Sequence, residues 1–289
     1  MELGALVVTQ GATLHAVGNE EARSWCSAWP VVGKTVLERW VDRVRSLQVN
    51  MVSVVDRGVS VPDRVQKMVD WAKEGIDQIL VIVMGSYAEV DLTDLVQFHQ
   101  GGRHTITRVF DPEGPLGISL LDRRAVLREL PSTIGEKPRP SRYDFMGYVT
   151  RLSSTVAYRK LVQDALEGRC DIRPSGLPTS DNVWIDPTAV VHPSVKFRGP
   201  CYVGANSRLN AGVTVSGYSS VEENCEIDLG TSLECASILP NTYIAPGLNV
   251  RNAVVDGTRF EHLDRKVTVD LGGVDLSARR SDNNRGNRV

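Results

Sequence analysis

Ten apolar residues recur at an unbroken six-residue interval: Ile185, Val191, Phe197, Val203, Leu209, Val215, Val221, Ile227, Leu233 and Leu239. Two residues before each stands a small or β-branched side chain: Val183, Ala189, Val195, Cys201, Ser207, Val213, Ser219, Cys225, Thr231 and Ser237. Short strands of this pattern cannot bury an inner face alone, so successive coils must stack over one shared, narrow core. Three hexapeptides close a triangular coil, and the run therefore predicts roughly three coils, each rising about 4.8 Å by ordinary strand spacing. A β-sandwich is the competing reading, but its strands alternate with period two and break at irregular turns. The register predicts a parallel β-helix.

A chain of 289 residues suggests two domains, and 42% hydrophobic content supplies a packed core to each. A net charge of -2 gives no footprint for nucleic acid, whose binding draws on clustered Lys and Arg. No apolar stretch approaches the ~18 residues needed to cross a bilayer, and no charged segment leads into a long apolar run, so the expectation is a cytoplasmic protein without a membrane partner. The five cysteines, Cys26, Cys170, Cys201, Cys225 and Cys235, show no C-x-x-C spacing, and their odd number argues against a complete disulfide framework. Cys201 and Cys225 fall on corner positions of the repeat and are expected to pack there.

The first half reads as a compact α/β domain. Leu3 to Val8, Met51 to Val55, Ile79 to Met84 and His104 to Phe110 are short apolar or β-branched runs separated by segments of helical period, which predicts a mainly parallel sheet with covering helices. Val36, Leu37, Trp40, Val41, Val44 and Leu47 share one helix face, and Val65, Met68, Val69 and Ala72 another. Asp91 or Thr93 is placed to cap a helix carrying Leu95, Val96 and Phe98. A last helix should start near Ser153 or Ser154, bury Ala157, Tyr158, Leu161, Val162, Ala165 and Leu166, and stop at Gly168. The expected organisation is an α/β domain over 1–170, a Pro/Gly linker over 171–182, the coils over 183–273 and a disordered polar tail over 274–289, whose arginines could touch an acidic partner. After Leu239 the repeat is less regular through Ile244, Val250 and Val255, with Phe260 and Leu263 folding over the end.

An α/β sheet followed by hexapeptide coils resembles the sugar-1-phosphate nucleotidyltransferases, especially the mannose-1-phosphate guanylyltransferase type. The phrase from Trp29 to Glu38, with Pro30-Val31, Gly33-Lys34 and Leu37-Glu38, is similar to that family's P-V-x-G-K-P-[LM]-[IL]-E segment. Val83-Met84-Gly85-Ser86, then Asp91-Leu92 and Phe98-His99, resembles its strand ending N-G-D followed by D-L and F-H. Pro115-Leu116-Gly117-Ile118 looks like its A-G-I-Y turn, and Gly147-Tyr148-Val149 like its G-Y-W segment. The resemblance implies a Rossmann-like nucleotidyltransferase-type sheet domain followed by a left-handed β-helix, a handedness that the register does not fix. It also implies a ligand pocket at Thr9, Gln10, Gly11, Gly85, Ser86, Asp91, Gly117, Gly147 and Tyr148.

Nucleotidyl transfer requires cations and a carboxylate-held Mg²⁺ around the triphosphate, beyond the carboxyl ends of the strands. At four family positions the chain departs. The loop from Thr9 through Gln10, Gly11, Ala12 and Thr13 to Leu14 keeps one glycine of G-x-G-T-R-[LM] but neither its second glycine nor its arginine. The family lysine falls on Cys26, its first metal aspartate on Ser86, and its second near Thr150-Arg151. One missing charge-stabilising donor commonly costs about 3 to 4 kcal/mol in the transition state. The expectation is therefore a catalytically degenerate member with no catalytic residue and no cofactor, serving as a binding or regulatory subunit in sugar-nucleotide or polysaccharide biosynthesis. Its expected partners are a nucleotide sugar or sugar phosphate, an active paralogue and further copies of itself in a homo-oligomer. An active nucleotidyltransferase with Mg²⁺ and a site rebuilt on Lys34, Glu89 and Asp91 is the alternative. A hexapeptide acyltransferase using His192, the sole histidine of the regular repeat, is a further one. His99 reads as a packing or surface histidine, not a base.

Overall fold

The computed structural model of the chain describes residues 2–9, 28–56, 58–128, 140–179 and 182–270. Gln10, Gly11, Cys26 and the polar tail lie outside the described residues. Two compact units divide the chain, Met1–Arg173 and Pro174–Val289. Within the expected linker, Leu177–Pro178 forms a short strand paired with Val183–Ile185 of the second unit.

In the first unit the strands are β1 (Leu3–Val8), β2 (Pro30–Val31), β3 (Lys34–Thr35), β4 (Met51–Val55), β5 (Gln78–Val83), β6 (Ser86–Ala88), β7 (Ile106–Asp111), β8 (Gly114–Asp122), β9 (Ser141–Asp144) and β10 (Val149–Arg151). The helices are α1 (Val36–Ser46), α2 (Val61–Glu74), α3 (Leu92–Gly101), α4 (Arg123–Arg128) and α5 (Thr155–Glu167). Six strands form one sheet in the order β4-β1-β5-β8-β7-β9. Only β8 runs against its neighbours, so the sheet is mainly parallel as expected. The segment expected to turn at Gly117 is instead the interior of β8. Gly117 takes φ +74°, and a Cβ there would stand 2.6 Å from the Val83 carbonyl oxygen, so only glycine lets β8 lie this close to β5.

Local chemistry explains the helix boundaries. Thr35 and Glu38 form a reciprocal capping box at α1, which buries Val36, Trp40 and Val44. Its entry is fixed by the hairpin β2–β3, whose two turn residues, Val32 and Gly33, both have positive φ. Helix α2 starts at the Ser60 cap and ends at Gly75 in the left-handed conformation. It packs Met68, Val69, Trp71 and Ala72 against Leu6 and Val8 of β1 and Ile79 of β5. Ser154 caps α5 and Gly168 ends it, again left-handed. Tyr158 donates from its hydroxyl to the Pro30 carbonyl at 2.7 Å and meets the Trp29 ring edge-on, tying α5 to the hairpin. Ala157, expected in the core, is half-buried.

The second unit is a stack of short parallel strands distributed in rotation over three sheets, as a parallel β-helix requires. Val183 pairs with Cys201, Val190 with Arg208 and Lys196 with Thr214, one coil every 18 residues. Lower in the stack the step becomes 17: Ser220 pairs with Ser237, Glu226 with Tyr243 and Ser232 with Asn249. The residue is lost at a corner, where Gly217 and Tyr218 both take positive φ in one coil and Cys235 alone does so in the next. Ile238, not Leu239, therefore stands opposite Val221, and the sixfold interval resumes through Ile244 and Val250. A second residue is lost at the next such corner, Asn252, which places Val255 opposite Ile238, and with those two corrections the irregular segment becomes a further coil. Two strands, Arg259–His262 and Val267–Asp270, then run antiparallel on the end of one sheet, with Phe260 packed against the core.

Corner hydroxyls bind successive coils together. Ser207 Oγ donates to the Glu222 carbonyl at 2.6 Å and accepts from the Cys225 amide at 3.0 Å, while Ser219 and Thr231 accept from the Ala236 and Leu248 amides. Cys201 and Cys225 lie buried in the coil core, as expected. Burial pushes the Cys225 thiol up to about 12, and it is inert at neutral pH. No helix among the described residues is long and apolar enough to cross a membrane.

Candidate functional site

Strand β1 leads through α1 to β4 on one side, and β4 leads through α2 to β5 on the other. The connection reverses direction between the carboxyl ends of β1 and β5, the place where open α/β sheets form a crevice. Thr9 and Met84-Gly85-Ser86 leave those two ends side by side, joined by the Met84 amide donating to the Val8 carbonyl at 2.9 Å. The Thr9 amide donates to the Val55 carbonyl at 2.9 Å, and its hydroxyl lies 3.4 Å from both that oxygen and Asp56 Oδ2.

From Gly85 the chain enters β6, which pairs antiparallel with β10. The Gly85 carbonyl accepts from the Leu152 amide at 2.9 Å, and Ser86 stands directly opposite Arg151. These are the positions that the resemblance assigns to, or beside, two metal-binding aspartates, and the fold brings them together across one strand pair from 65 residues apart. Their chemistry does not suit a divalent cation. Ser86 is buried with its hydroxyl 3.4 Å from the Leu116 carbonyl, and Arg151 presents a guanidinium where a carboxylate would be needed.

Arg151 is held by a carboxylate that inspection of the sequence did not single out. Its Nη1 and Nη2 donate to Asp111 at 2.9 and 2.7 Å, a two-bond grip, and its Nε lies 3.6 Å from Glu113. Asp111 also accepts from the Glu113 and Gly114 amides at the β7–β8 turn. Burial would raise this carboxyl, but the Arg151 bonds and charge, with the two amides, outweigh it and hold Asp111 below the usual carboxylate range. The signal in the sequence is the Asp-Pro-Glu-Gly turn, whose first residue favours a side chain that binds its own loop amides.

The remaining candidates are committed elsewhere. Asp91 caps α3, accepting from the Thr93 and Asp94 amides at 2.8 and 3.1 Å, so that helix N-terminus is occupied by its own carboxylate. Gly147 precedes β10 and is exposed. Tyr148 donates to Asp164 of α5 at 2.6 Å and accepts from Thr150 at 3.0 Å, so its hydroxyl is tied to α5. Burial and the Asp164 bond push the Tyr148 hydroxyl far above its ordinary value. Burial would raise Asp164 as well, but hydrogen bonds from Tyr148 and Lys160 and the charges of Lys160 and Arg169 hold it low.

Lys34 pairs with exposed Asp42 at 2.8 Å, and Glu89 accepts from Tyr87 and from the Asp171 amide. Those three alternative groups, Lys34, Glu89 and Asp91, thus serve three separate contacts. Arg43, unnoticed in the sequence, stacks on Trp40 and donates to the Ala88 and Val90 carbonyls. His99 is buried with Nδ1 2.7 Å from Thr107 Oγ1, a packing position, and burial lowers its pKa. His192 is exposed on the coils, Nδ1 2.8 Å from Ser194 Oγ.

Among the described polar groups at the sheet edge, Thr9 and Asp56 stand at one end, Asp111, Glu113 and Arg151 lie about 14 Å from Thr9, three strand spacings across, and Arg142 pairs with Asp144 on β9 beyond them. Neither a scan against protein-family models nor a search of curated proteins returned a match for this chain.

Proposed function

We propose that the chain is a catalytically inert relative of the sugar-1-phosphate nucleotidyltransferases, its second unit a left-handed β-helix. It acts as a cytoplasmic binding or regulatory subunit in sugar-nucleotide or polysaccharide biosynthesis. Its ligand is a nucleotide sugar or sugar phosphate, and an active paralogue is its natural partner. One observation carries this reading: Ser86 and Arg151 meet across β6 and β10, with the guanidinium bound to Asp111. A hydroxyl and a cation cannot assemble the Mg²⁺ centre that would stabilise charge on a transferring phosphoryl group. What the site retains is recognition. Thr9 can donate to or accept from a ligand hydroxyl, Asp56 can accept from one, and Gly117 admits close approach of β8 to β5 beside the crevice.

The test mixes the purified chain with Mg²⁺, each nucleoside triphosphate and each hexose 1-phosphate. The expected outcome is no pyrophosphate above a protein-free control, together with calorimetric binding of a nucleotide sugar. Pyrophosphate release that is lost in Asp91→Asn would overturn the proposal, because asparagine still caps α3 and only a chemical role would be removed.

A further inference from the structure

The coil stack ends in two unlike ways. At its first edge, Leu177–Pro178 closes the eight-stranded sheet with a proline, which has no N–H to offer another strand. At the other end, Val267–Asp270 is the last strand of the same sheet among the described residues, with four exposed residues and no proline. Cross-strand rows that begin in the core run out to this strand: Val255, Phe260 and Val269 form one, and Ala253, His262 and Val267 another. Val255 and Ala253 are buried, whereas Val269 is 41% and Val267 48% exposed. The two valines continue an apolar face that the coils cover only at its start.

We propose that this strand is the seam of a homodimer, pairing antiparallel with its own copy about a two-fold axis through Thr268. The sequence around that axis is complementary to itself. Thr268 meets the Thr268 of the second copy, each Val267 meets a Val269, and each Lys266 lies beside an Asp270. β-branched pairs, threonine pairs and opposite charges are the combinations that stabilise directly opposed residues on neighbouring strands. Thr268 and Asp270 face one side of the strand and the valines face the other, so the pairing joins apolar row to apolar row, and Lys266, in the turn that opens the strand, enters the seam at the end where the second copy places Asp270. A two-fold contact closes on itself, and it converts an exposed edge prone to open-ended association into the interior of a continuous sheet. Asp270 already accepts from Thr258 at 3.1 Å through Oδ1, which orients its carboxylate at the strand end. This seam is independent of what the first unit binds.

The experiment is sedimentation velocity on the full chain over a dilution series. The wild type should be a dimer. Lys266→Asp and Asp270→Lys each set like charges against each other at both ends of the seam, and each should weaken the dimer by roughly tenfold or more. The double variant K266D/D270K restores opposite charges on a two-fold seam alone, and it should return to within about threefold of the wild-type affinity. Val269→Glu should give a monomer with unchanged circular dichroism. A monomeric wild type, a dimer indifferent to the single charge changes, or a double variant as weak as the singles would each overturn the proposal.

Discussion

The α/β unit and the coil stack bury comparable side chains by different logic. In the α/β unit each core residue has its own neighbours: Trp40 on α1 with Arg43 over its ring, Tyr158 on α5 against Trp29 and the Pro30 carbonyl, Gly4 against Trp71 at the foot of α2. In the stack the same contacts recur from coil to coil, an aliphatic row and a left-handed corner residue such as Asn206, Asn224 or Asn241, joined beyond the first coil by corner hydroxyls. Repetition lets one residue be dropped at Cys235 without disturbing the rows on either side. It also leaves the stack with little that is individual enough to form a chemical site. Individual contacts in the α/β unit produced a constellation that packing does not explain, Ser86 opposite Arg151 with Asp111.

If that contrast is right, the largest effect comes from the unit with unique contacts. Trp40→Ala should cost about 4 kcal/mol, the usual penalty for removing a buried large aromatic. Hydrogen exchange should show lost protection in residues 36–90 with the coil amides unchanged, and loss of protection in the coils would break the comparison. Arg151→Gln should cost about 2 kcal/mol by leaving Asp111 without its charged partner.

The Arg151 change also alters the pH profile. Asp111 is held low in the folded protein, so its contribution is present above about pH 4, the unfolded value, and fades as pH falls toward the folded one. Denaturant midpoints of wild type and Arg151→Gln should therefore converge on acidification. Parallel curves would show that the Asp111 pair is not what the variant removes.

A smaller effect, about 1.5 kcal/mol, is expected for Ser207→Ala, which leaves the Glu222 carbonyl and Cys225 amide without this hydroxyl. Ser219→Ala should cost slightly less in urea titration, because its hydroxyl donates to the Ser216 carbonyl within its own coil and reaches the next coil only through the Ala236 amide. Lys34→Ala, removing an exposed ion pair with Asp42, should change stability by less than about 0.5 kcal/mol.

The same difference decides how much could be read without coordinates. The rows from Ile185 to Leu233 announce themselves because stacking repeats one environment every six residues. Leu239 misleads because it too is fully buried, although Ile238 occupies the row, and apolarity alone does not distinguish the two. In the α/β unit the helix caps Thr35, Ser154 and Asp91 are local and legible. Strand β8 was hidden because Pro115 and Gly117 carry turn chemistry into a strand that needs glycine for close approach. The Asp111–Arg151 pair spans 40 residues and depends on the β7–β8 hairpin meeting β10, a register with no local trace. Nothing local in the sequence shows that Ser86 stands directly opposite Arg151.

Calorimetry of a nucleotide sugar against the full chain, titrated in Mg²⁺ and in excess chelator, decides whether the proposed crevice binds without a metal. The same affinity is expected in both, with no pyrophosphate when a triphosphate and sugar phosphate are supplied. Binding that vanishes with the chelator, or pyrophosphate that forms only with Mg²⁺, would contradict the proposal.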